Sequence, residues 1–145
     1  MQESKVEMER TLAIIKPDAV AAGVIGEVIR RIEGEGLTVA AMRLARLSER
    51  ETEGFYYVHR QRPFFGSLVK FMTSGPCVLL VLRGTDAVVR WRNLMGSTDP
   101  SKAEPGTLRS LFGTNIERNA VHGSDSEDSA SFEVNYFFKG TEIVG

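Results

Sequence analysis

Histidine is scarce in this chain: of 145 residues only His59 and His122 carry an imidazole. His122 stands in Asn119-Ala120-Val121-His122-Gly123-Ser124-Asp125-Ser126, between a short apolar run and a glycine. The serines that follow have the form of a helix start. Ser124 with Glu127, and Ser126 just after, offer the Ser-x-x-Glu pattern whose side chains satisfy free N–H groups of a first turn. His122 is therefore expected where a strand ends and a helix begins, a place where α/β sheets commonly present reactive groups beside a helix terminus that favours anions. An imidazole there could be an acid, a base, a nucleophile or a buried structural group. His59, flanked by Val58 and Arg60 ahead of Pro63, has no such setting and is expected as an exposed polar residue.

Any phosphate would have to be held by side chains, because no Gly-x-x-x-x-Gly-Lys-Ser/Thr loop occurs and no Gly-x-Gly-x-x-Gly follows a strand. Arg92 near a helix end, with Thr98 and Arg109 in a stretch punctuated by glycine and proline, could supply charge-assisted and hydroxyl contacts to phosphoryl oxygens. Lys16 at a predicted strand end and Tyr56 ahead of Arg62-Pro63-Phe64 are further polar candidates. Taken singly, the cations read first as solvated surface and the tyrosine as core. Phe64 is anomalous in another way. The helix opened by Pro63 buries Phe65, Leu68, Val69 and Met72 at i, i+3, i+4 and i+7. At about 100° per residue, Phe64 projects to one side near Leu68 and Phe71, a second apolar edge that the core does not explain.

The elements that must position these residues follow from periodicity and punctuation. Thr11–Ile15 reads as a strand stopped by Lys16-Pro17-Asp18. Ile25, Val28, Ile29 and Ile32 recur at helical spacing until Gly34 and Gly36, and residues 37–44 have the look of a strand. Ser48 with Glu51 forms a capping box before Phe55 and Tyr56. Val78–Leu82 is apolar without alternation, as in a strand covered on both faces. Asp86 is expected to cap a helix carrying Val88, Trp91 and Met95 and ending at Gly96. From Gly96 to Arg118 periodicity is lost, so a long functional loop is expected. A short strand over Asn119–His122 and a helix from about Ser126 close the chain. This order suits an antiparallel α+β sandwich.

Eighteen basic against nineteen acidic residues leave a formal net charge of −1, which gives no overall drive toward nucleic acid or an anionic membrane. The longest strongly apolar stretch, Cys77–Leu82, is far shorter than the roughly 20 residues that span a bilayer. One cysteine in an apolar run fits a packed thiol in a reducing compartment. The polar first eight residues lack the apolar core of a signal peptide. A cytoplasmic protein of one domain over residues 1–145 is expected, with residues 1–8 as a flexible extension.

Asn-x-x-His-Gly-Ser-Asp-Ser resembles the active-site signature of the nucleoside diphosphate kinases. The resemblance continues through Thr11–Asp18, Phe55–Gly75, Leu94–Pro100, Pro105–Arg109 and Asn119–Phe138, in order and with matching separations. It implies a ferredoxin-like βαββαβ core with an inserted helical pair. It also implies ping-pong transfer of the γ-phosphate of a nucleoside triphosphate, typically ATP, to a nucleoside diphosphate through a phosphohistidine on His122, with broad base tolerance. By the same resemblance Lys16 contacts phosphates and sugar, Tyr56 lies beside the reacting group and Asn119 binds the ribose. Arg92, Thr98 and Arg109 then hold phosphates, Phe64 and Leu68 sandwich the base, and Ser124 with Glu133 orients the imidazole. Mg²⁺ is expected to arrive on the nucleotide, since no cluster of Asp or Glu has metal-ligand spacing. A homo-oligomer built from dimers, a tetramer or a hexamer, is implied. Arg83, Trp91 and Cys77 depart from the usual family residues, none of them at a matched site position. The rival from another class is a non-catalytic nucleotide or single-stranded nucleic-acid binding module, which could use Arg92, Arg109 and Phe64 equally well.

Overall fold

The apolar runs before Lys16 and after Pro76 pair at the centre of one sheet. In the computed structural model, which describes residues 8–145, β1 (Met8–Ile15) lies antiparallel to β3 (Cys77–Thr85), with Ile15 opposite Val78. β2 (Thr38–Ala45) flanks β3 and β4 (Val121–Gly123) flanks β1, giving the order β2-β3-β1-β4 with every pair antiparallel. Of the expected flexible extension, Met8 opens β1 and the rest lies outside the described residues.

Successive strand residues point to opposite faces, and both faces here are covered by helices. Ala13, Ile15, Leu80 and Leu82 pack against α2 (Ile25–Gly34) and α5 (Ala87–Met95), while α1 (Pro17–Ala21) and α6 (Leu108–Phe112) close the ends of that layer. Leu12, Ile14, Leu79 and Val81 pack against the inserted pair α3 (Glu49–Phe55) and α4 (Phe65–Met72), and against α7 (Glu127–Phe137). All eight strand residues are fully buried, which accounts for the lack of alternation in β3. The succession β1, α2, β2, β3, α5, β4 is the ferredoxin-like βαββαβ core. Among the described residues no helix is long and apolar enough to cross a membrane.

Local signals hold where the partners are local. Glu51 N–H donates to Ser48 Oγ at 3.0 Å and Ser48 N–H to Glu51 Oε1 at 2.9 Å, the capping box read from spacing. Other expectations yield to distant contacts. Asp86 sits at the start of α5 with φ 51° and makes no side-chain cap; instead Val88 N–H donates to Glu9 Oε1 at 2.9 Å, from the neighbouring strand. Phe71 is not part of an exposed edge, because α4 is wedged between sheet and loop and buries it. The stretch from Gly96 to Arg118 is not structureless either: it holds a 3₁₀ turn at Pro100–Lys102, capped by Asp99, and the helix α6, capped by Thr107.

Candidate active site

β4 is only three residues long, yet it fixes His122 from several sides. Its pairing with β1 sets His122 opposite Ile14, so the imidazole points to the α3–α4–α7 face while Val121 and Gly123 point to the other. On that other face the Trp91 indole N–H donates to the His122 carbonyl at 3.0 Å. A Cβ at Gly123 would lie 2.6 Å from Trp91 and Met95 side-chain atoms, so only glycine lets α5 approach this closely. Just upstream, Ala120 holds φ 74°, a left-handed conformation that costs about 1–3 kcal/mol for a non-glycine residue. Two bonds sustain it: Ala120 N–H donates to Asp18 Oδ2 at 3.0 Å, and its carbonyl accepts from Lys16 N–H at 2.8 Å.

The imidazole itself has a carboxylate partner. His122 Nε2 lies 2.9 Å from Glu133 Oε1. Ser124 Oγ donates to the same oxygen at 2.9 Å and accepts from Leu12 N–H at 3.2 Å. Ser124 is wholly buried and caps nothing; the serine that caps α7 is Ser126, whose hydroxyl accepts from Ser129 N–H at 3.1 Å. The expected Ser124–Glu127 box is therefore displaced by two residues, because the strand partner Leu12 claims the Ser124 hydroxyl. Phe55 and Tyr56 set their rings edge-on to the imidazole, with centroids at 5.4 and 6.2 Å.

Beside His122 opens a cleft of about 340 Å³ lined by Lys16, Tyr56, Phe64, Leu68, Arg92, Thr98, Arg109 and Asn119. A larger groove of about 480 Å³ between β1 and α7 contains none of these, so size alone does not mark the site. Ser124 and Glu133 do not line the cleft but stand behind the histidine. Its walls are cationic in an unusual way. Lys16 and Arg109 are only 7% and 6% exposed, against the solvated setting expected of such residues one by one. Lys16 Nζ donates to Asn119 Oδ1 at 2.8 Å, and Asn119 Nδ2 donates to the Thr98 carbonyl at 3.0 Å. Arg109 donates to the carbonyls of Gly96 at 3.1 Å and Val121 at 2.8 Å. Burial, and then the Arg109 charge, pull the Lys16 ammonium down to about 8. Burial and the nearby Arg92 likewise lower the Arg109 guanidinium to about 10. Among the described residues Arg109 Nε, Asp18 Oδ1 and the Tyr56 hydroxyl are buried without a hydrogen-bond partner, and burial pushes the Tyr56 phenol well above its ordinary range. Arg92 is more open, paired with Asp125 at 2.9 Å.

Sequence reasoning missed several cleft residues. His59 is half-buried rather than exposed, its ring 5.6 Å from that of Phe64. Ile116, Glu117 and Asp125 also line the cleft. Asp125 lay inside the octapeptide, but nothing in one sequence marks Ile116 or Glu117.

The sequence matches the nucleoside diphosphate kinase family over residues 9–143. The chain belongs to that family. A nucleoside diphosphate kinase of Desulfosudis oleivorans is 56% identical over 138 residues, 95% of this chain and 99% of the relative. One from Anaeromyxobacter sp. strain K is 59% identical over 136 residues, covering 94% of this chain and 92% of the relative. The fold agrees. The nucleoside diphosphate kinase of Aquifex aeolicus superposes with a TM-score of 0.92 at 46% identity, over 94% of this chain and 99% of that one. A halophilic nucleoside diphosphate kinase from Halobacterium salinarum, solved in complex with CDP, gives 0.92 at 40% identity, over 94% and 91%. The chain is thus an enzyme, a kinase that moves phosphate between nucleotides, and the non-catalytic binding module is set aside. Kinases of this family generally need a divalent cation.

Proposed function

We propose that His122 is the phosphoryl carrier of this kinase. If Nε2 keeps its proton and donates it to Glu133, the lone pair on Nδ1 is the one left to attack the γ-phosphorus of a nucleoside triphosphate, typically ATP. The N–P bond forms as the bond to the β,γ-bridging oxygen breaks, and the nucleoside diphosphate leaves. A second diphosphate then binds the same cleft, its terminal oxygen attacks the phosphorus, and the N–P bond breaks to restore the imidazole. Glu133 fixes the tautomer and balances charge on the ring, with Ser124 holding the carboxylate. Lys16, Arg92, Thr98 and Arg109 hold the phosphates, Tyr56 flanks the reacting group, Asn119 with Lys16 meets the ribose, and Phe64 with Leu68 takes the base. Because stacking accepts every base, discrimination among nucleotides is weak.

The observation that carries this reading is the convergence of a carboxylate-bound imidazole and two buried cations on one cleft. Among the described residues neither Lys16 nor Arg109 forms a salt bridge, and cations held this deep suit a ligand that brings several negative charges. Mg²⁺ would enter as part of the substrate: among the described residues no three His, Cys, Asp or Glu side chains gather as metal ligands, and phosphates with water can hold this ion. We also read the protein as a cytoplasmic homo-oligomer of four or six subunits, a reading supported by the lone buried thiol of Cys77 and by exposed Met42 and Leu44 on the edge strand β2. Incubation with γ-labelled ATP and no acceptor tests the carrier. The protein should take up label that is acid-labile and alkali-stable, and any nucleoside diphosphate should discharge it. A chain that turns over without such a phosphoenzyme would rule out His122 as carrier.

A further inference from the structure

Ser67 lies on α4 one residue before Leu68, and Glu117 lies on the long connection one residue after Ile116. Ser67 Oγ donates to Glu117 Oε2 at 2.7 Å. The backbone behind Glu117 is closed on itself: the N–H groups of Glu117 and Arg118 both donate to Asn115 Oδ1, at 3.0 and 2.8 Å, and Thr114 N–H donates to the Arg118 carbonyl at 2.7 Å. One helical turn beyond Ser67, the Arg118 guanidinium sits 4.9 Å from the Phe71 ring centre. The tip of the connection is therefore a stiff turn docked on α4 through positions four residues apart, which share a helix face. Around this contact the cleft takes Phe64 and Leu68 from the α4 side and Ile116 from the connection. Phe64 and Ile116 keep 47% and 61% of their surface exposed, apolar area available to a flat partner.

We propose that the Ser67–Glu117 hydrogen bond is a clasp that sets the width of the nucleobase slot, making both of them positioning residues for nucleotide binding. This rests on the base lying against Phe64 and Leu68 as read above. Without the clasp, the connection still meets α4 through the Arg118–Phe71 contact but loses its hydrogen bond to the helix. The slot walls then separate and the base loses contacts on one side. The Glu117 charge favours the Lys16 ammonium across the cleft, so Ser67→Ala, which leaves that charge in place, isolates the hydrogen bond.

The test is calorimetric titration of ADP and CDP into the full chain, with steady-state kinetics alongside. Ser67→Ala and Glu117→Ala should each weaken Kd and raise KM by about two- to tenfold, the range for one ordinary hydrogen bond at an exposed position, with kcat at saturation within about twofold. CDP should lose more than ADP, since the smaller ring touches fewer atoms across a widened slot. The double alanine variant should be no weaker than the weaker single, because one bond is lost only once. Ser67→Thr keeps the donor and should return parental affinity, and Glu117→Gln, which keeps an acceptor but like Glu117→Ala lacks the charge, should bind more tightly than Glu117→Ala. Additive losses, a Glu117→Gln that behaves like Glu117→Ala, or singles with unchanged Kd would each overturn the clasp. Labelling of the parental protein by γ-labelled ATP separates the two readings. An unlabelled parent refutes the histidine carrier, whereas a labelled parent whose clasp variants keep full affinity refutes the clasp alone.

Discussion

The two walls around His122 are built on opposite electrostatic terms. Behind the ring, Glu133, Ser124 and the Leu12 N–H form a closed set in which each group shown has its partner, spread over β1, β4 and α7. In front, Lys16 and Arg109 are cations whose proton affinity is lowered by burial and then by a neighbouring cation, Arg109 for Lys16 and Arg92 for Arg109, and among the described residues Arg109 Nε and the Tyr56 hydroxyl have no hydrogen-bond partner. A closed network rigidifies; an open one is completed by what binds. The back wall thus fixes the imidazole before any ligand arrives, whereas on the reading proposed above the front wall gains its remaining partners from a bound anion. The contrast predicts that substitutions behind the ring change the rate of chemistry, and that those in front change binding and its dependence on pH.

His122→Ala removes the group both walls serve and should abolish labelling, lowering turnover by more than about 10⁴-fold. Nucleotide affinity by calorimetry should stay near the parental value, since the front wall is untouched. Lys16→Met should lower kcat/KM by about 10²–10³-fold. It also separates two pH effects of opposite sign. The folded ammonium titrates near 8 rather than 10.5, so between those values the unfolded chain holds more protons. The Lys16 contribution to stability therefore rises with pH across that window. Nucleotide affinity falls over the same window as the charge is lost. Melting and titration curves of parent minus Lys16→Met should show both trends; affinity that does not fall above pH 8 would mean Lys16 carries no phosphate. Glu133→Gln should slow phosphorylation about 10- to 100-fold in rapid-quench assays, with little change in Kd. Asp125→Asn frees Arg92 from an exposed pair of small worth and should shift KM by less than about fivefold. A larger shift would place Asp125 among the groups that fix the front wall.

How much of this was legible in the sequence depended on whether the deciding partner lay nearby. The sheet strands, the Ser48–Glu51 box and the α5 stripe of Val88, Trp91 and Met95 follow from periods and spacings within a few residues. Ser124 failed as a cap because Leu12, 112 positions away, takes its hydroxyl. Phe71 failed as an edge residue because a helical projection gives angles around one axis and cannot tell which arcs neighbouring elements will cover. Burial of Lys16 and Arg109 was invisible for the same reason, as was the half-burial of His59 against Phe64. The octapeptide and its family resemblance supplied the eleven site residues before any geometry. The geometry added their division into a cleft lining and a support behind it.

The pairing of β4 with β1 has a consequence in time. His122 rides on the last strand among the described residues, its strand partner β1 is the first, and the Glu133 carboxylate beside the ring comes eleven residues later still. At about 5–20 residues per second, synthesis as far as Glu133 takes on the order of ten seconds, and β1 pairs with β3 only once Thr85 has been made, its other edge then awaiting β4. No nascent or truncated chain short of Glu133 can assemble the site. Assembly of the pair His122–Glu133 therefore waits on a residue far from β1 in the order of synthesis, although the elements carrying both residues pack against that same strand.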